Sequence, residues 1–165
     1  MTTSRSPRIL VLSLGSNLGD RLQHLRRAVS TISKSVEIVR ISSVYETDPL
    51  DMPEGSTAFL NLIVVGQTRE SADALMSRFG SIERSMGRRS SVRNAPRPID
   101  IDIICYGGEL RRSGSVQLPH PRFHEREFVL APLRELGVDW IDASSGMSVL
   151  EMRGRGEVRR AGPLY

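Results

Sequence analysis

The chain has 165 residues, 39% hydrophobic and 25% charged, enough for one packed domain with a real core and too short for a multidomain assembly. Its single cysteine, Cys105, excludes an internal disulfide and a thiolate-paired metal site, and no apolar run approaches the roughly 20 residues of a membrane span. A net charge of +4 rests on 22 arginines and one lysine, Lys34, a supply of planar forks that suits phosphate oxygens without separating nucleic acid from nucleotide.

In chain order, Ile9 to Leu14 is a compact apolar run closed by Gly15-Ser16-Asn17-Leu18-Gly19-Asp20, which predicts a strand, a turn and a helix start. The opening lacks a signal peptide's layout, so a cytoplasmic protein without membrane insertion is expected. Leu22, Leu25, Ala28, Val29 and Ile32 recur at helical spacing and predict a helix ending near Lys34. The β-branched segment from Val36 to Val44 reads as one strand, and Thr47 to Gly55 as an exposed turn-rich loop. Phe59 to Val65 reads as a central strand interrupted only by Asn61.

Ser71 opens a second helix whose apolar stripe is Ala74, Leu75, Phe79 and Ile82 and which finishes around Met86-Gly87. Residues 88–98 hold two prolines and four arginines and form a loop. Ile99 to Tyr106 follows as a strand, with Asp100 and Asp102 on one side and Ile99, Ile101 and Ile103 on the other. Phe128 to Leu136 predicts a short helix and Gly146 to Met152 another turn or two, while residues 1–7 and 153–165 are expected to be flexible ends of a single domain. Strand, helix, strand, strand, helix, strand is the order of an α+β, ferredoxin-like βαββαβ core, here with additional C-terminal strands and helices.

Asp100-Ile101-Asp102 is the strongest chemical signal. Two carboxylates one residue apart on a strand have Cα atoms roughly 6.5–7 Å apart on one face and can converge on a hard cation. An edge strand with its polar face in water is the bland alternative. Arg88, Arg89, Arg93 and Arg97 in the preceding loop fit phosphate binding, nucleic-acid binding or solvation. Their adjacency to the paired aspartates favours a polyphosphate held by divalent ions and arginine forks. The Gly15 to Gly19 turn is neither a P-loop nor a dinucleotide fingerprint. His24, His120 and His124 make no zinc pair, and aromatic residues are too sparse for a stacking sheet that binds RNA.

The run Arg93-Asn94-Ala95-Pro96-Arg97-Pro98-Ile99-Asp100-Ile101-Asp102 resembles the signature of the 6-hydroxymethyl-7,8-dihydropterin pyrophosphokinase family. Leu14 to Asp20, Ser43 to Thr47, Phe59-Leu60-Asn61, and Leu118 to Pro121 followed by Phe128 support the resemblance in the family's order, across residues 9 to 140. The resemblance implies transfer of pyrophosphate from ATP to the dihydropterin with two Mg2+ in folate biosynthesis, small-molecule substrates only, and no nucleic acid, membrane or obligate protein partner. It places metal-binding aspartates at Asp100 and Asp102 and phosphate-contacting arginines at Arg88, Arg97, Arg93 and Arg126. It places nucleotide-side contacts at Glu83 and His120, and the pterin at Thr47, Pro49, Phe59, Asn61 and Phe128. Asn94 stands where some members carry tryptophan, and Pro98 where threonine is frequent. Another phosphoryl-transfer enzyme, or a non-catalytic RNA-binding or regulatory domain, are the alternative readings.

Overall fold

The computed structural model describes residues 6–49, 52, 54–89 and 95–165. Strand β1 (Arg8–Ser16) alternates strictly: Leu10, Leu12 and Leu14 point to one face, Val11, Ser13 and Gly15 to the other. Helix α1 (Arg21–Ile32) follows, its first turn capped by the Asp20 carboxylate, which accepts the Gln23 N–H at 3.0 Å. Next come β2 (Glu37–Ile41), β3 (Val44–Thr47) and β4 (Phe59–Thr68). Helix α2 (Ala72–Ser85) is capped by Ser71, and β5 (Asp100–Tyr106) closes the core motif. Helix α3 (Glu127–Leu136) ends at Gly137, whose φ of 62° is the left-handed region where glycine carries no Cβ penalty. Last is β6 (Val158–Gly162).

The strands form one antiparallel sheet in the order β5-β1-β4-β3-β6, with β2 also pairing β4. With β2 and β3 counted as one broken strand, β1 to β5 give the ferredoxin-like order. One face buries Leu10, Leu12, Leu14, Leu62 and Val64 under α1 and α2. The opposite face buries Val11, Ile63, Val65 and Ile104 under α3. Helix α3 covers only one end of that second face. At the other end the same alternation presents Ser13, Gly15, Asn61, Asp100 and Asp102, which line an open cleft.

Two expectations are corrected. The single strand over 36–44 is two strands broken at Ser42-Ser43. Ser42 exchanges hydrogen bonds with Ile63 through its backbone and hydroxyl, and the Glu135 carboxylate of α3 accepts from the Ser43 N–H and hydroxyl and the Tyr45 hydroxyl. The chain thereby bends toward α3, and Thr47 becomes the buried last residue of β3 rather than the start of an exposed loop. The segment 153–165 is not a loose tail: β6 pairs with β3, Leu164 is buried, and its carbonyl accepts the Arg26 Nε–H at 2.7 Å. Of the N-terminal end expected to be flexible, residues 1–5 lie outside the described residues.

Candidate active site

The uncovered end of the second sheet face is the floor of a cleft of about 270 Å3. β5 supplies Asp100 and Asp102, which sit opposite Gly15 and Ser13 of β1. Although β5 is an edge strand, these carboxylates do not simply face water. Arg88 holds Asp100 at 2.9 Å and Glu83 at 2.7 Å, and Arg97 lies 3.7 Å from Asp100. Arg126 reaches Asp102 at 3.5 Å. Desolvation in the recess and the Asp100 charge push the Asp102 carboxyl up to about 7, against the pull of Arg126. Burial likewise raises Glu83, whose carboxylate accepts the Ile101 N–H at 2.8 Å and so ties α2 to β5.

The donor set fits a hard dication. Among the described residues no group of three or more His, Cys, Asp or Glu side chains converges as a metal cage. Two carboxylates with room for a ligand's phosphates match the way Mg2+ is held, by one or two protein oxygens with the rest from substrate and water.

Arg97 is positioned by its backbone. Its N–H donates to the Asn17 Oδ1 at 2.9 Å and its carbonyl accepts the Asn17 N–H at 3.3 Å, a two-point clamp between the turn after β1 and the end of the arginine loop. Asn17 is 1% exposed, and the Arg97 Nε is a buried donor without a partner among the described residues. A second cavity of about 210 Å3 lies along this loop beside Arg88, Arg89 and Arg97. Arg93 and Asn94 lie outside the described residues.

At the other end of the cleft, Asn61 is 3% exposed and donates through Nδ2 to the Thr47 Oγ1 at 2.8 Å. Gly15 is there because of it: a Cβ on that residue would stand 2.8 Å from the Asn61 Oδ1. Phe59, Phe128 and Met52 supply apolar surface around this amide. A polar edge between aromatic side chains suits a flat heterocycle with hydrogen-bonding edges.

The cleft therefore gathers Asp100, Asp102, Arg97, Arg126, Thr47, Phe59, Asn61 and Phe128. Arg88 joins them through Asp100, and Glu83 only through Arg88 and the β5 backbone. Pro49 and His120 are not among its lining residues. The His120 Nδ1 accepts the Arg122 N–H at 3.1 Å, which leaves the proton on Nε2, and burial lowers the pKa to about 4. It is a neutral donor at physiological pH.

Sequence reasoning missed Ser13, Asp48, Met52, Arg122, Glu125 and the run 155–158 of the cleft lining, and read Gly15 as part of a turn that could present N–H groups to an anion rather than as a strand residue. The register of β1 against the acidic strand would have pointed to Ser13 and Gly15. For 155–158 no local signal existed, because the approach of that segment depends on contacts with residues about thirty positions upstream.

Three comparisons bear on this geometry. The family model described as 7,8-dihydro-6-hydroxymethylpterin-pyrophosphokinase matches residues 11–138. The 2-amino-4-hydroxy-6-hydroxymethyldihydropteridine pyrophosphokinase of Bacillus subtilis (strain 168) is 40% identical over 130 residues, covering 78% of this chain and 77% of that one. The mitochondrial folate synthesis bifunctional protein of Pisum sativum is 40% identical over 137 residues, covering 82% of this chain, which spans only 26% of that longer protein. The crystal structure of wild-type Plasmodium falciparum HPPK-DHPS superposes with a TM-score of 0.69 at 15% identity, over 90% of this chain and 41% of that one, a likeness of fold alone.

Proposed function

The chain belongs to the 7,8-dihydro-6-hydroxymethylpterin-pyrophosphokinase family, and from that premise we propose that it transfers pyrophosphate from ATP to 6-hydroxymethyl-7,8-dihydropterin, releasing AMP. The observation that carries this reading is the continuity of one cleft. Its carboxylate and arginine end, Asp100, Asp102, Arg97 and Arg126, opens directly onto the amide and aromatic end, Asn61, Phe59 and Phe128.

The hydroxymethyl oxygen attacks the β-phosphorus, the bond from that phosphorus to the α,β-bridging oxygen breaks, and the electron pair leaves with AMP while the alcohol's proton passes to water. Asp100 and Asp102 would hold two Mg2+, which supply charge neutralisation at the phosphates and so lower the repulsion met by the incoming oxygen. Arg88, Arg97 and Arg126 turn from Asp100 and Asp102 toward phosphate oxygens and stabilise charge on the transferring group and on AMP. Arg93 joins them on the family resemblance of its sequence. Glu83 keeps Arg88 and the β5 backbone in place. His120 offers an Nε2–H donor to the nucleotide side. Asn61, oriented by Thr47, reads the pterin edge, and the family resemblance adds the backbone around Thr47 and Pro49 to the pterin side.

The test is AMP release from ATP and magnesium with and without the dihydropterin, with mass spectrometry of the product. Pterin-dependent AMP and a pterin diphosphate are expected. AMP release indifferent to pterin would assign the cleft to a different phosphoryl transfer.

A further inference from the structure

Residues 155–158 line the cleft, and together with Gly154 they are laced to the segment that carries Arg126 and Phe128. The Gly154 N–H donates to the Glu127 Oε2 at 2.8 Å, the Arg155 N–H to the Glu125 carbonyl at 2.8 Å, and the Glu127 N–H to the Arg155 carbonyl at 3.3 Å. Glycine at 154 is required by this approach. A Cβ there would stand 2.4 Å from the Glu127 nitrogen and 2.7 Å from the Arg126 carbonyl carbon, both backbone atoms that cannot swing away. Downstream, Val158 pairs with Thr47, so the same strand reaches the ring-binding end.

Held in this way, Arg155 lines the cleft beside Arg122 and Arg126. Its neighbours are committed to carboxylates: Arg126 faces Asp102, and Arg122 bonds Glu125 at 3.0 Å. The Arg155 guanidinium has no hydrogen bond or ion pair among the described residues, and it contributes only at a distance to lowering the Glu125 pKa. An uncommitted fork on the wall of a site whose floor is two carboxylates has one class of ligand to serve, a polyphosphate arriving with its cations.

We propose that Arg155 is a further substrate-binding residue, a contact to the ATP polyphosphate presented by the Gly154 docking point. The proposal rests on the pyrophosphokinase reading for the identity of the anion. It predicts a selective loss: Arg155→Ala removes no side-chain hydrogen bond or ion pair among the described residues, so the fold should survive while the nucleotide side of the cleft weakens. Calorimetric titration of a non-hydrolysable MgATP analogue, without pterin, should give about tenfold weaker binding in Arg155→Ala and an intermediate loss in Arg155→Lys, which keeps the charge and loses the fork. Pterin affinity should stay within twofold of the parent protein.

Unchanged nucleotide affinity would overturn the proposal, and so would equal losses for both ligands, since the segment would then act only as a structural brace. Because the nucleotide titration needs no turnover, it tests Arg155 even where pterin-dependent AMP release is absent in the parent protein, the result that would instead remove the pyrophosphokinase reading. Gly154→Ala adds the positioning test. It should weaken both ligands at temperatures where circular dichroism shows it fully folded, because Arg126 and Phe128 move together. Unaltered affinities in that folded variant would count against the docking point.

Discussion

Two polar side chains, His120 outside the cleft lining and Asn61 within it, illustrate how burial decides chemical character. Burial, helped by the nearby Arg126 charge, lowers the His120 pKa from 6.5 to about 4, and the Arg122 N–H occupies its Nδ1 lone pair. A depressed histidine favours folding while both states are neutral. As pH falls below about 6.5 the unfolded chain takes up a proton that the native chain refuses, and that contribution is lost progressively until pH reaches about 4. His120→Asn should therefore flatten the acid limb of stability, with the parent protein losing about 2–3 kcal/mol more than the variant between pH 7.5 and pH 4.5. Urea unfolding at both pH values reads this difference, and equal losses would show that His120 does not titrate in this way. Asn61 makes a different argument: its amide is buried against Thr47 and cannot be replaced by water. Asn61→Ala leaves the Thr47 hydroxyl without its donor and removes the recognition edge, so pterin binding should fall by at least tenfold while nucleotide binding changes less than twofold. Parallel calorimetry of the two ligands checks it, and a shared loss would place Asn61 in the fold rather than in recognition.

At the scale of elements, β5 shows strand periodicity placing chemistry. Its isoleucines Ile101 and Ile103 anchor one face in the core while the alternate positions carry two like charges on the other. This was legible because a period of two is a local property, and the two helices were legible for the same reason, from the Asp20 and Ser71 caps and a one-sided apolar stripe. The break between β2 and β3 was not, since it depends on Glu135 about ninety residues away accepting from Ser43 and Tyr45. Nor was β6: Val158-Arg159-Arg160-Ala161-Gly162 has no alternating apolar pattern and is a strand only because β3 presents an edge to it. The two elements give opposite predictions. Asp102→Asn removes a like charge from a crowded recess, so melting temperature should hold or rise while pyrophosphoryl transfer falls at least about a hundredfold at saturating magnesium. Retained transfer would exclude Asp102 from the machinery. Glu135→Ala should do the reverse, costing about 2 kcal/mol of stability and speeding amide exchange in β6, because Arg160 and Ser43 share the same carboxylate. Unchanged exchange in β6 would mean that Glu135 does not hold it.

For the whole molecule, the decisive feature is asymmetry between the two faces of one sheet. Helices α1 and α2 seal the first face; α3, ten residues long, seals only part of the second. The remainder becomes a cleft because separate segments border it, among them Arg97 just before β5, the segment leading into α3, and residues 155–158. Arg97, Arg126 and Arg155 come one from each. The C-terminal wall does double duty, since β6 also caps the exposed edge of β3 and Leu164 fills a place in the first core. Deleting residues 157–165 should then cost about 3 kcal/mol, mainly the burial of Leu164 and the strand pairing. A domain of ordinary stability remains folded after such a loss, especially when measured cold. Affinities in that truncated chain should separate by position. Arg155 remains, laced to Glu125 and Glu127, so MgATP-analogue binding should persist within about threefold. Val158, which sits beside Thr47, is gone, so pterin binding should fall by more than tenfold. If pterin binding survived the deletion, the C-terminal chain would be a brace for the sheet edge and no part of the ring-binding wall.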